Sequence, residues 1–241
     1  MSLTQAVDLT RTGDIWLFRG QSGADRAIQT LTNSPVNHVG MAVVLEDLPP
    51  LMWHAELGRS LPDVWAGEHR RGAQLHDLHD AVQVWSTKYG QRAWFRQLLP
   101  EVSREAEDAV LRTIARMDGT PFPSSAGLIT RWVTHRGPRI RPQQLKRLRR
   151  RKPSQGEGRG LPGTPAASGA PAEKASLETA FCAEIVAMTY QAMGLLPAER
   201  SPSWYDPGRF WSGDELDLIG GRLGAEISIA PTPEDANKQY S

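Results

Sequence analysis

The chain has 241 residues, 39% of them hydrophobic, and its 28 lysines and arginines nearly balance 27 aspartates and glutamates. Its eight tryptophans and this apolar fraction supply enough surface for a packed interior, which excludes a globally disordered chain. A single cysteine excludes an intramolecular disulfide and a cysteine-rich zinc site, and it favours a reducing compartment. The first ten residues lack the features of a signal peptide, and no apolar run approaches about 20 residues. We therefore predict a cytoplasmic protein without a transmembrane segment.

Four early segments are rich in β-branched or aromatic residues and lie between turn-forming residues, which predicts strands. They are residues 14–18, 38–45, 51–57 and 81–86. Two prolines in the connection at 46–50 cannot donate to a sheet, so a hairpin-like turn is expected there. The second and third strands should therefore be neighbours.

Helical spacing of apolar residues predicts helices at 91–99, 103–117 and 182–193. Ser103 is expected to cap the second helix and Gly194 to end the third, so that Cys182 would lie in a first helical turn. Two short strands are expected at 216–219 and 226–229. Together these elements predict an α+β fold in which an antiparallel sheet packs against helices.

The stretch 119–155 carries ten lysines and arginines and no acidic residue. Such a run can attract phosphates of lipids or nucleic acids, although a solvated basic helix or loop explains it equally well. The residues that would contact an anionic surface are Lys146, Arg147, Arg149, Arg150, Arg151 and Lys152. The Gly-, Pro- and Ser-rich residues that follow predict flexibility. We predict one domain over 1–230, with a basic segment and flexible insertion at about 136–176, and a disordered tail over 231–241.

Cys182 is a candidate nucleophile because the thiolate, not the thiol, attacks a carbonyl carbon. A helix N-terminus would favour the thiolate, and its amide donors could also stabilise an oxyanion. A lone cysteine is, however, more often a small buried apolar residue. The assignment therefore depends on a base beside it.

His38 is the candidate base, because an imidazole can accept the thiol proton and return it to the leaving group near neutral pH. A third polar group must hold its ring. His54 and Glu56 are two residues apart on one predicted strand and project from the same face, so either could do this. We prefer His54, which lies at the centre of its strand.

A second histidine cluster follows these motifs. His76, His79 and Asp80 could share a helical face and hold a metal, with His69 close by in the sequence. No fourth ligand stands out. We therefore predict neither a metal nor a cofactor.

The order of the motifs resembles the circularly permuted NlpC/P60 superfamily, in its YiiX-like and LRAT-like branch of papain-fold proteins. The matching segments are Gly13–Phe18, Ser34–Met41, Met52–Ala55 and Phe181–Val186. The resemblance implies a permuted papain-like fold with Cys182 as nucleophile, His38 as base and His54 as third residue. Many YiiX-like proteins carry Glu where His54 stands, whereas LRAT-like members carry His. The basic and Gly/Pro-rich insertion is not part of that pattern.

These observations lead to the hypothesis of a cysteine-dependent hydrolase or acyltransferase. It would act on an amide or ester bond of a small molecule, peptide or lipid through an acyl-enzyme on Cys182. The alternative is a non-catalytic binding scaffold that docks anionic membrane or nucleic acid through the basic segment. Salt-sensitive binding that survives loss of the thiol would favour the alternative.

Overall fold

The computed structural model describes residues 1–21, 34–56, 58–117, 171–212 and 216–230. The helices are α1 (Leu3–Asp8), α2 (Leu78–Thr87), α3 (Arg104–Met117) and α4 (Pro171–Ala192), with short 3-10 helices at Pro202–Trp204 and Pro207–Phe210. The strands are β1 (Ile15–Arg19), β2 (His38–Val43), β3 (Leu51–Glu56), β4 (Gly72–Asp77), β5 (Arg92–Arg96), β6 (Leu98–Leu99), β7 (Arg222–Leu223) and β8 (Ile227–Ser228).

A six-stranded sheet in the order β4-β3-β2-β1-β5-β8 forms the centre of the fold, and β6 pairs with β7 beside it. Every pairing in the six-stranded sheet is antiparallel. The predicted neighbours β2 and β3 do pair, with Met41 opposite Trp53. The predicted α+β class, an antiparallel sheet packed against helices, is confirmed.

The two faces of the sheet are covered by different helices, because successive side chains of a strand point to opposite faces. On one face, Ile15 and Trp53 share a buried cluster with α4, and the Trp53 indole donates a 3.1 Å hydrogen bond to Thr189 Oγ1. On the other face, Trp16 and Phe18 pack with α1 and α2. We call these the α4 face and the α2 face.

Several predicted elements are confirmed and others are wrong. The first three strands, α3 and the strand at 226–229 lie where the sequence places them, within a few residues. The predicted strand at 81–86 is instead part of α2, the predicted helix at 91–99 is instead β5 and β6, and β4 was not expected. Residues 216–219 form no strand. The segments 72–77 and 92–96 are therefore strands of the sheet, although the sequence pattern did not predict strands there.

The predicted insertion and tail fall mostly outside the described residues. Only 171–176 of the proposed insertion is described, and it forms the start of α4. The tail at 231–241 lies outside, as does the basic run at 146–152. In the described part of the chain, no helix combines the length and the apolar character needed to cross a membrane.

Gly58, just after β3, has a left-handed backbone conformation with φ +73°, and a Cβ built on it would lie 2.2 Å from the Arg70 carbonyl oxygen. We expect Gly58→Ala to lower the free energy of unfolding by at least about 2 kcal/mol. The left-handed conformation alone costs an alanine about 1 kcal/mol, and the contact with Arg70 adds to this. Urea unfolding measures the loss.

Gly67→Ala is the matched control for this prediction. Gly67 has nearly the same φ, +71°, but no atom lies within 4 Å of its built Cβ. It should therefore lose only the conformational part, about 1 kcal/mol. An equal loss of unfolding free energy in the two variants would show that the close approach of the new Cβ to the Arg70 carbonyl does not affect stability.

Candidate functional site

His38 and His54 lie together on the α2 face. β2 and β3 are antiparallel neighbours, and the alternation that directs Met41 and Trp53 to the α4 face directs both histidines to the other side. His38 Nε2 and His54 Nδ1 are 3.2 Å apart, which is a hydrogen-bond distance. The ring at hydrogen-bond distance from His38 is thus that of His54.

A third histidine extends this pair into a chain. His76 on β4 lies on the same face as His54, and its Nδ1 is 3.0 Å from His54 Nε2. Glu56 Oε2 lies 3.8 Å from the same His76 nitrogen. The site therefore runs from His38 through His54 to His76, with the Glu56 carboxylate beside the last ring. We call this arrangement the histidine chain.

Glu56 lies nearer to His76 than to the pair that the sequence singled out. Its Oε1 accepts hydrogen bonds from the main-chain amides of Arg59 and Ser60, and its Oε2 accepts one from the Ser60 hydroxyl. These three donors stabilise its charge and fix the start of the loop after β3. The carboxylate is thereby tied to the loop as well as to His76.

The histidine chain is almost entirely buried. His54 and His76 have no exposed surface, and 7% of His38 is exposed. Trp85 of α2 covers the first two rings, since its ring centre lies 5.0 Å from each and nearly perpendicular to His38. Phe18 packs against both His38 and Trp85. Of the three histidines, only His38 has exposed surface.

Burial keeps these rings neutral. Burial, with a smaller contribution from the charge of His76, lowers the pKa of His38 from 6.5 to about 3. Burial also lowers the pKa of His54 well below its ordinary value, with repulsion from both neighbouring imidazoles adding to the effect. The pKa of His76 is lowered by burial and partly restored by the Glu56 and Asp63 carboxylates. A neutral imidazole has one N–H and one lone pair, so each ring can donate one hydrogen bond and accept another at neutral pH.

Cys182 lies on the other face. It is fully buried in the cluster of the α4 face, together with Val39 and Trp53. His38 and His54 instead contact Trp85 on the α2 face. The structure therefore brings the two predicted histidines together, whereas Cys182 packs among apolar residues on the opposite face of the sheet.

The expected position of Cys182 in its helix is wrong. α4 begins at Pro171, so Cys182 lies near its middle rather than in its first turn. Main-chain amides in the middle of a helix are already bonded to carbonyls within it, and the dipole effect is confined to the last turns. The helix N-terminus therefore does not stabilise a thiolate at this position.

The cluster that suggested a metal does not form as expected. His76 belongs to β4 and the histidine chain, whereas His79 lies on α2 with its Nδ1 3.7 Å from Asp80. They therefore do not share a helical face. Within the ranges that the structure describes, no three His, Cys, Asp or Glu side chains are grouped so that they could hold a metal ion.

Sequence reasoning missed His76 as a partner of His54. The signal was present in Gly72–Asp77, where Gln74 and His76 are spaced by two, the same interval that separates His54 from Glu56. Two polar side chains with a strand period, next to a strand of the same kind, indicate a shared face. Without β4 in the predicted sheet, that face could not be recognised.

A comparison with known protein families found no match, and a comparison with curated proteins found none either. Among solved structures, the chain is similar to a crystal structure described as metalloprotein YiiX from Escherichia coli O157:H7. The identity is 22%, the TM-score is 0.36, and the match covers 48% of this chain and 54% of that chain. It thus spans about half of each. The YiiX-like resemblance and the permuted papain-like fold stay predictions.

Proposed function

We propose that this chain is a hydrolase or acyltransferase acting on an amide or ester bond, with His38 as the general base and His54 as the residue that holds its ring. The observation that supports this is the hydrogen-bonded histidine chain. Its buried end is anchored beside a carboxylate, and its other end is the one ring with exposed surface. A neutral, oriented imidazole acts as a general base when its pKa lies near the working pH, which requires His38 to be less buried in the reacting conformation than it is here.

Cys182 is the proposed nucleophile, since it is the chain's only thiol and follows the two histidines in the order of the resembling family. His38 would take the thiol proton while the sulfur bonds to the carbonyl carbon, and the imidazolium would return that proton to the departing amine or alcohol. Water or another acceptor, deprotonated by His38, would then break the C–S bond. Because the sheet separates the two residues here, the proposal requires a second conformation in which Sγ and His38 meet.

Selective alkylation of Cys182 tests this pairing. With a single cysteine, iodoacetamide labelling followed by intact-mass spectrometry reports one site. We expect the labelling rate to rise with pH around an apparent pKa below the ordinary value of roughly 8.5. His38→Ala should move that midpoint upward, because the imidazole would no longer accept the thiol proton. His79→Ala is the control, since His79 lies on α2 with an exposed side chain.

The chemistry itself is tested with an activated ester, p-nitrophenyl acetate. An acetyl adduct on the wild-type protein, absent from Cys182→Ser, supports an acyl-enzyme. A thiol that stays inert, or that titrates normally in both wild type and His38→Ala, would rule out the Cys182–His38 pair. In that case the second candidate function takes its place.

The second candidate is a non-catalytic scaffold that binds anionic membrane or nucleic acid. The observation that favours it is the complete burial of Cys182 on the face opposite the histidines. The proposed contacts are the basic residues at 146–152, which lie outside the described residues. Binding to anionic vesicles or to a DNA duplex should then weaken steeply with salt and be unchanged in Cys182→Ala. Binding that is absent at low salt would exclude it.

A further inference from the structure

The connection between β3 and β4 presents an exposed tryptophan. Trp65 is 71% exposed and its neighbour Val64 is 47% exposed. In the part of the chain that the structure describes, they are the only large exposed apolar residues that adjoin in sequence. We propose that residues 63–68, the Trp65 turn, dock this pair into the surface of an anionic bilayer. This site is separate from the basic residues at 146–152, and it does not depend on the proposed catalysis.

A buried carboxylate holds the Trp65 turn in place. Asp63 has no exposed surface, and its Oδ1 accepts a 2.8 Å hydrogen bond from the main-chain amide of Leu75 on β4. Its Oδ2 accepts one from the Ala66 amide and lies 2.6 Å from the Arg70 guanidinium. The turn is thereby fastened to β4, the end strand of the described sheet. Because it is already ordered, it has little conformational freedom to lose when it docks.

Basic side chains lie at both ends of the connection that carries the Trp65 turn. These ends meet, since a Cβ built on Gly58 would lie 2.2 Å from the Arg70 carbonyl oxygen. Arg59 and Arg71, one at each end, are exposed. Between them Glu68 is the one exposed acidic residue. The surface around the exposed tryptophan is therefore basic, which is the charge that anionic headgroups attract.

The residues after α2 extend the same surface. The Tyr89 hydroxyl lies 3.5 Å from the Arg59 main-chain carbonyl, and Tyr89 is 41% exposed. Lys88 is exposed beside it, with its ammonium 5.4 Å from the Tyr89 ring. Tryptophan and tyrosine rings favour the boundary between acyl chains and headgroups, where lysine and arginine reach the phosphates. The surface thus combines the two kinds of side chain that this boundary selects.

The size of the exposed apolar pair favours a bilayer over a protein partner. A tryptophan side chain buries about 150–250 Å². Even with Val64 added, the Trp65 turn offers much less than the roughly 800 Å² that each partner contributes to a stable protein interface. A bilayer needs no matching surface, because lipids pack around an inserted side chain and each nearby basic residue adds attraction. A narrow, ordered turn with a basic surround fits that partner.

Cosedimentation of the full chain with vesicles tests the proposal. We expect the wild type to bind vesicles of phosphatidylcholine and phosphatidylserine, and to bind pure phosphatidylcholine more weakly. Trp65→Ala should weaken binding to the anionic vesicles by about tenfold or more, because it removes the inserted ring. Arg59→Gln should weaken it by about fivefold. Leu111→Ala is the matched control, since Leu111 is 40% exposed but lies on α3, and it should bind like the wild type.

Vesicles with brominated acyl chains test where the tryptophan lies. Trp65→Phe keeps an apolar ring and should bind nearly as well as the wild type. The brominated chains should quench the fluorescence of the wild type more than that of Trp65→Phe, because the other described tryptophans are buried or half-buried. An equal fraction quenched in the two proteins would place Trp65 outside the bilayer and overturn the proposal.

Other occupants of the Trp65 turn give different results. Anionic vesicles that bind wild type and Trp65→Ala equally would leave the basic run as the membrane contact, and the proposal fails. It also fails if neither protein binds vesicles. A dimer that forms without vesicles and dissociates in Trp65→Ala, with no vesicle binding, would assign the turn to a second copy of the chain. Cys182→Ala should bind vesicles like the wild type, so an unreactive thiol removes the proposed catalysis and leaves this inference standing.

Discussion

Lowering the pH from 7.5 to 5.5 should reduce the free energy of unfolding by about 2–3 kcal/mol through His38 and His54 alone. Both have a pKa that is lower in the folded protein than the ordinary 6.5, to about 3 for His38 and well below 6.5 for His54. The stability they contribute is therefore present above pH 6.5 and is lost as the pH falls toward the folded values. In that window the unfolded chain binds protons that the folded chain excludes.

Urea unfolding across this pH range measures the effect. His38→Gln removes one titrating ring and should flatten the slope below pH 6 by roughly 1.4 kcal/mol per pH unit. His79→Ala, with an exposed side chain, should keep the wild-type slope. An unchanged slope in His38→Gln would mean that this ring becomes charged in the folded protein as easily as in the unfolded chain.

Asp14 changes the stability with pH in the opposite direction to the histidines. Its effect is the same in wild type and variants, so it cancels when they are compared. Burial raises the pKa of this carboxyl from 3.8 to about 6, although the amides of Leu98 and Arg11 both donate to it. Its contribution is therefore present below about pH 4 and is lost as the pH rises through 6. Between pH 7.5 and 5.5 it offsets part of the loss in every variant alike. Only the difference between variants isolates the histidines.

The first part of the fold could be predicted because its strands carry local signals. Residues 14–18, 38–45 and 51–57 combine β-branched and aromatic residues with clear turn formers, and each became a strand of the sheet. The two-residue spacing of His54 and Glu56 also placed them on one face correctly. These inferences need only the period of a strand.

Other elements depended on tertiary surroundings. In α2 the buried residues Leu78, Ala81, Val82 and Trp85 recur at helical spacing, and the Asp77 side chain caps the helix by accepting from the Asp80 amide. Reading only 81–86 concealed this spacing and favoured a strand. Both faces of β5 are covered, with Trp94 in the cluster of the α4 face and Phe95 in that of the α2 face, so four successive residues are buried and no alternation is visible.

The relation of Cys182 to the histidines could not be inferred from motif order. Both faces of the sheet are apolar, so nothing in β2 or β3 indicates which face a later helix covers. That choice is made by contacts distant in sequence, such as the hydrogen bond from Trp53 to Thr189. The order His38, His54, Cys182 therefore suggests a family and a reaction to test, but it does not predict the distance between the thiol and the histidines.

Replacing Arg96 with methionine should lower the free energy of unfolding by about 3–5 kcal/mol. Arg96 is 6% exposed at the end of β5. Its guanidinium donates to the main-chain carbonyls of Phe210, Leu223 and Gly224. Methionine fills much of the same volume but leaves three carbonyls without this donor. The carbonyl of Phe210 is buried and those of Leu223 and Gly224 are partly buried, so losing their donor is costly.

Arg96 also lies beside the Glu226 carboxylate, which adds to the expected loss of stability in Arg96→Met. Glu226 Oε1 lies 3.5 Å from its Nε, and the same carboxylate accepts from the Ser212 hydroxyl. Removing the guanidinium leaves a largely buried negative charge, and it releases the segments after α4 from the sheet. Arg96→Lys should recover only part of the loss, because a single ammonium cannot reach three carbonyls in the geometry of a planar guanidinium.

Arg92→Met is the matched control, since Arg92 begins the same strand, is exposed, and has its guanidinium 5.1 Å from the Trp94 ring. It should cost less than about 1 kcal/mol. Urea unfolding at pH 7.5, where the histidines are neutral in both folded and unfolded chains, keeps their titration out of the comparison. Similar losses in Arg92→Met and Arg96→Met would show that the three carbonyls find other donors and that Arg96 is not what fastens the C-terminal segments to β5.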